Sequence, residues 1–201
     1  MTRFYLIRHG EKDSPAELLS SRTAGIHLTD LGVRQAEAIA RRLEGESLQR
    51  ICASPMERAQ ETARPLAQAK NLPIETLAGL NECEFGDWTN RRVDELKATP
   101  TWEWFNTFRS GTRTPGGEWM LEIQARFVGE MLRLRDRHPD ASLALFSHGD
   151  PIRSALMYFS GTPLDFWQRF EISIGSITVI ELSDDGVKIT RVNEVPELPA
   201  K

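Results

Sequence analysis

Apolar and polar positions alternate in blocks along this chain: short hydrophobic runs are followed by longer stretches with helical spacing, and then by further short runs. Phe4-Tyr5-Leu6-Ile7 is the first run of strand length. Thr29-Asp30 then offers a helix cap ahead of Ala36, Ile39, Ala40 and Leu43, with Gly45 as a stop. Ile51 to Ala53 reads as a second strand. Ser54-Pro55 reads as the start of the next helix, Ser as its cap and Pro in its first turn, with Ala59, Thr62, Ala63 and Leu66 as the inner stripe. Ile74 to Leu77 is a third short strand.

The pattern weakens from Gly79 to Gly117, where Trp88, Trp102 and Trp104 are scattered and a Ser110-to-Gly117 stretch must be loop. This region predicts a small lid inserted into one domain spanning residues 1–201. A long helix from about Glu118 to Arg137 leads through His138-Pro139-Asp140 into the apolar run Leu143 to Phe146, a buried strand. Ser147-His148-Gly149-Asp150-Pro151 opens another helix. Ile177 to Ile180 and Val187 to Val192, around Asp184-Asp185-Gly186, predict a terminal hairpin. Alternating strands and helices of this kind specify an α/β fold, a three-layer α/β/α sandwich with a mainly parallel central sheet.

Composition narrows the range of partners. The 201 residues are 40% hydrophobic and 27% charged, enough for a substantial core. A net charge of -4 argues against a broad nucleic-acid or anionic-membrane surface, so any anion site must be local. Cys52 and Cys83 form no CxxC pair, which argues against a disulfide framework and a thiolate metal cluster and suits a reducing cytoplasm. The apolar start of the chain is too short for a signal peptide or membrane span. A homodimer is left open.

Three polar clusters fall in equivalent places. Arg8-His9-Gly10-Glu11, Ser54 to Arg58 and Ser147-His148-Gly149 each follow the carboxyl end of a predicted strand, where open α/β sheets place their ligands. Arg8 and Arg58 offer forked, permanently charged donors, and a helix amino terminus at Gly149 adds partial positive charge. The expected ligand is a phosphate-like anion, and the substrate a small phosphorylated molecule. A neutral imidazole is a competent nucleophile towards phosphorus once arginines offset the charge of its target, which suits His9, while His148 would stabilise the transferring group. The leaving oxygen needs a proton, for which Glu82 and Glu84 are the candidates. A metal fits poorly, since there is no HxxxH or HxxH spacing and guanidinium groups repel cations; no cofactor is indicated.

Taken in order, Leu6-Ile7-Arg8-His9-Gly10-Glu11, Leu28-Thr29 through Gln35-Ala36, Ser54-Pro55 through Thr62-Ala63, Leu80 through Trp88, Pro115-Gly116-Gly117-Glu118 and Ser147 through Arg153 resemble the histidine phosphatase superfamily, with its phosphoglycerate-mutase-like fold. The resemblance implies phosphomonoester hydrolysis with His9 as nucleophile, Arg8, Arg58, His148 and Gly149 in the phosphate pocket, and Glu82, ahead of Glu84, as proton donor. Its alternatives are a phosphoglycerate mutase and a non-catalytic phospho-ligand binder. The chain departs from the family pattern at Lys12-Asp13-Ser14-Pro15, where a Trp-Asn pair is common, at Trp88-Thr89-Asn90 and at Asp150, a position that is often Gly. Arg22 and His27 are equally well explained as surface loop residues, His138 as a helix-end residue, and Arg153 as a support for His148.

Overall fold

The computed structural model describes residues 1–198; the end of the expected domain, 199–201, lies outside the described residues. In chain order the elements are β1 (Thr2–Arg8), α1 (Asp30–Arg42), β2 (Arg50–Ala53), α2 (Glu57–Lys70), β3 (Ile74–Thr76), α3 (Val93–Lys97), α4 (Pro100–Thr107), α5 (Met120–Arg137), β4 (Ser142–Ser147), α6 (Gly149–Phe159), β5 (Ile177–Ser183) and β6 (Gly186–Glu194). The sheet runs β3-β2-β4-β1-β5-β6. Its first four strands are parallel, and the terminal hairpin adds two antiparallel strands at one edge.

Both sheet faces are buried, so the inner strands read as continuous apolar runs rather than as alternation. Phe4 and Leu6 of β1, with Leu143 and Leu145 of β4, pack beneath α5 and α6 through Phe127, Met131, Ile152 and Leu156. Tyr5, Ile7, Ala144 and Phe146 point to the other face, against Ile39 and Leu43 of α1 and Ala63 and Leu66 of α2. These are the three expected layers.

One sequence expectation needs correction. Ser54 does not cap α2, which begins three residues later behind Met56. The Ser54 hydroxyl instead faces His148, and the chain runs extended through Met56 before it turns helical. The Gly79–Gly117 region, expected as a small lid, builds a third core cluster: Phe85, Trp88, Leu96 and Phe105 are buried against Met120, Ile123, Met157 and Trp167. Trp88 and Phe105 are core, whereas Trp104 and Phe108 face outward.

Candidate active site

Parallel pairing brings the three polar clusters together. Arg8 is in register with Ser147, and Ala53 with Phe146, so β1, β4 and β2 end side by side. Main-chain bonds continue the ladder one step beyond the strands, with His9 N donating to Ser147 O at 3.0 Å and Ser54 N to Phe146 O at 2.9 Å. Residues separated by almost 140 positions in sequence thus share one cavity of about 240 Å³, lined by Arg8, His9, Arg58, Glu82 and Gly149 among others. His148 is fully buried beside it, its ring centroid 5.1 Å from that of His9 in an edge-on arrangement.

The two imidazoles are held differently. His9 Nδ1 lies 2.7 Å from the carbonyl oxygen of Gly10. A carbonyl only accepts, so Nδ1 carries the proton and Nε2 keeps its lone pair. His148 Nε2 meets the Ser54 hydroxyl at 2.8 Å, and its Nδ1 has no hydrogen-bond partner in the protein. Burial pushes both imidazoles well below their usual range, and the charge of Arg58 adds to it in each case. Both are neutral at physiological pH.

The arginines are pinned at one end and free at the other. Arg8 donates NH1 to the Ile172 carbonyl at 2.6 Å and leaves Nε unpartnered. Arg58 donates NH2 to the Ser21 carbonyl at 2.9 Å and leaves Nε and NH1 unpartnered. Arg58 is 1% exposed. A buried guanidinium with idle donors costs several kcal/mol unless something else satisfies it. With the free Nδ1 of His148 and the amino terminus of α6, these donors define an anion site.

Glu82 sits on the cavity wall, its side chain 15% exposed. One carboxyl oxygen accepts from Cys83 N at 2.9 Å and the other lies 3.7 Å from His148 Nδ1, too far for a hydrogen bond. Burial first, then the negative charge of Asp150, raise its pKa to about 7, against the opposing pull of Arg58 and Arg8. Glu84 points elsewhere. Its carboxylate reaches Gly86 N and the Ser21 hydroxyl, and it does not line the cavity. Of the two candidates, Glu82 lines the cavity and Glu84 does not. The loop that carries it is braced by Arg22 and Arg126, which donate to the Glu82 carbonyl at 2.8 and 2.9 Å and share the Glu118 carboxylate.

His9, Glu82 and His148 offer three ligand atoms within 4.8 Å of one another. The donor set alone would suit a metal, but Arg8 and Arg58 put two permanent positive charges on the same cavity. They oppose a dication and favour an anion.

Sequence reasoning missed several wall residues. Lys12 lines the cavity, its ammonium donating to the hydroxyls of Ser14 at 2.7 Å and of Ser20. It fills part of the loop that departs from the family pattern, and that departure was its only signal. Asp150 and Arg153 also line the cavity. Ser54 was visible but read as a cap. Arg22 braces the Glu82 loop, and His27 is exposed and bonded to Glu61 at 2.7 Å.

The chain belongs to the histidine phosphatase superfamily (branch 1), whose sequence profile it matches over residues 4–195. It is 32% identical over 193 residues to an uncharacterised protein of Mycobacterium tuberculosis, covering 92% of both chains. To the adenosylcobalamin/alpha-ribazole phosphatase of Escherichia coli it is 29% identical over 184 residues, 90% of each. The crystal structure of a phosphoserine phosphatase mutant from Entamoeba histolytica, in complex with phosphoserine, has the same fold: TM-score 0.88 over 97% of this chain and 98% of that one, at 23% identity. Among the described residues no helix is long and apolar enough to cross a membrane.

Proposed function

We propose that the protein hydrolyses small phosphomonoesters through a phosphohistidine on His9. The observation that carries this reading is the pairing of a lone pair on His9 Nε2 with the idle donors of Arg8 and Arg58 on one small cavity, with the free Nδ1 of His148 buried beside it. At about 240 Å³ the cavity is below the roughly 300–1,000 Å³ of sites for drug-sized ligands, which supports a compact substrate.

In the first step His9 Nε2 gives its electron pair to phosphorus, the bond from phosphorus to the ester oxygen breaks, and Glu82 delivers its proton to that oxygen. Arg8, Arg58 and His148, whose Nε2 is held by the Ser54 hydroxyl, hold the three non-bridging oxygens as their charge redistributes. In the second step Glu82, now a carboxylate, takes a proton from water as the water oxygen bonds phosphorus and the N–P bond breaks. Inorganic phosphate leaves, and both residues return to their starting forms. The raised pKa of Glu82 suits both duties, since an acid near pH 7 gives up and regains a proton readily.

The test is to mix enzyme with a phosphate-labelled ester, quench in denaturant without acid and locate the label. Label on the His9 imidazole, absent in His9→Ala together with turnover, is the expected result. Label on a serine or an aspartate would refute the mechanism. In the same assay excess chelator leaves turnover intact; a loss reversed by zinc would assign the cluster to a metal.

A further inference from the structure

Two carboxylates line the one cavity, and the mechanism uses only Glu82. The second, Asp150, is out of place in a phosphate pocket, because its charge repels the substrate dianion. It is nevertheless held there. Asp150 lies in the first turn of α6, where a helix amino terminus accommodates an acidic side chain. Arg109 NH1 stands 3.9 Å from its Oδ2. Arg109 is itself clamped, its guanidinium carbon 4.4 Å from the centroid of Phe105 and 4.1 Å from that of Trp167, and it is 6% exposed. Arg109 thus sets a fixed positive charge near Asp150, whose side chain is 28% exposed, whereas Glu82 is more enclosed at 15%.

We propose that Asp150, anchored by Arg109, is a positioning residue that acts through Glu82, keeping a proton on it so that the leaving oxygen meets an acid rather than a carboxylate. The inference rests on Glu82 as the proton donor. Without Asp150 the other charged groups on the cavity are positive: Arg8 from β1, Arg58 from α2, Lys12 from the loop after β1 and Arg153 from α6, while Arg126 of α5 and Arg22, at the Glu82 main chain, are paired with the Glu118 carboxylate. His9 and His148 are neutral. Such an environment drives a carboxyl to ionise, and an ionised Glu82 protonates nothing. A negative charge on the wall of the same cavity is the counterweight. The burial of Glu82 and the charge of Asp150 act in the same direction on it. Two carboxylates with environments pushed apart then divide the work, one staying charged and the other staying acidic.

The experiment is the pH dependence of kcat/KM for an alkyl phosphate, glycerol 3-phosphate, in wild type and in Asp150→Asn. Comparing variants on one substrate cancels the ester's own ionisation. The expected result is a high-pH limb moved down by about 0.5–1 pH unit, so that activity at pH 8 falls about 3- to 10-fold relative to pH 5.5. Asp150→Gly, which restores no charge and adds no bulk, should show the same move, and Asp150→Glu should reverse most of it. An unmoved limb with a lower KM would show that Asp150 only weakens anion binding, and would overturn the proposal. Glu82→Gln is the separate control: if it leaves the limb in place, the proton-donor assignment fails rather than the role of Asp150.

Discussion

His9 keeps its lone pair for two independent reasons. The Gly10 carbonyl takes the Nδ1 proton, and burial beside Arg58 and Arg8 disfavours a second proton. Glu82 shows the opposite effect of burial, because for a carboxyl the neutral form carries the proton. Folding therefore raises its pKa to about 7, from the value of about 4.3 usual for an unfolded chain. Between those values the folded state binds a proton that the unfolded state lacks, so stability is lost as pH rises through this window. Gln imitates the protonated acid. Glu82→Gln should accordingly stabilise the protein by about 1–3 kcal/mol at pH 8 and by nothing measurable at pH 4. Thermal unfolding at the two pH values checks this, and an equal effect at both would show that packing rather than charge is responsible.

At the scale of elements, the strands were legible because their apolar runs are bounded by polar clusters that end at the site. Arg8 ends β1 with His9 just beyond it, His148 follows β4, and Arg58 lies in the first turn of α2. What escaped reading was side-chain use. Ser54-Pro55 has the composition of a helix start, yet the serine hydroxyl serves a histidine 94 positions away, and no local pattern reports that. Asp150 and Arg109 likewise meet only in the fold, where the Phe105 and Trp167 rings hold the arginine near α6.

The contact between the His9 loop and α1 was equally hidden. Thr29 caps α1 by accepting from Gly32 N at 3.1 Å, and a Cβ on Gly32 would stand 2.1 Å from the Glu11 carbonyl oxygen. Propensity alone predicts that Gly32→Ala stabilises the helix by about 1 kcal/mol. The obstacle is backbone and cannot swing aside, so overpacking wins at a cost of about 1–3 kcal/mol, and activity falls as the Gly10–Glu11 segment is displaced. Gly45→Ala, with open space around it, is the neutral comparison. If both variants melt together, the close approach does not position the loop.

For the whole molecule, the expectation of one domain with an inserted lid turns on whether residues 79–117 open with the rest. Their aromatic side chains share a core with α5, α6 and Trp167, and Glu118 ties Arg22 and Arg126 to the loop that carries Glu82. Such packing predicts one cooperative unit rather than a flap. The two cysteines sample its two parts. Cys52 lies in β2 at the heart of the sheet, and Cys83 lies in the third cluster, one residue beyond Glu82. Both are free and buried, and burial raises the pKa of Cys52 to about 12 and that of Cys83 well above the usual range. A thiol that neither ionises nor meets solvent does not alkylate. Reaction with a thiol reagent then has to wait for the surrounding structure to open, which makes each cysteine a clock for its own region. Equal labelling rates at Cys52 and Cys83 are expected, and faster modification of Cys83 would reveal a region that breathes on its own around Glu82.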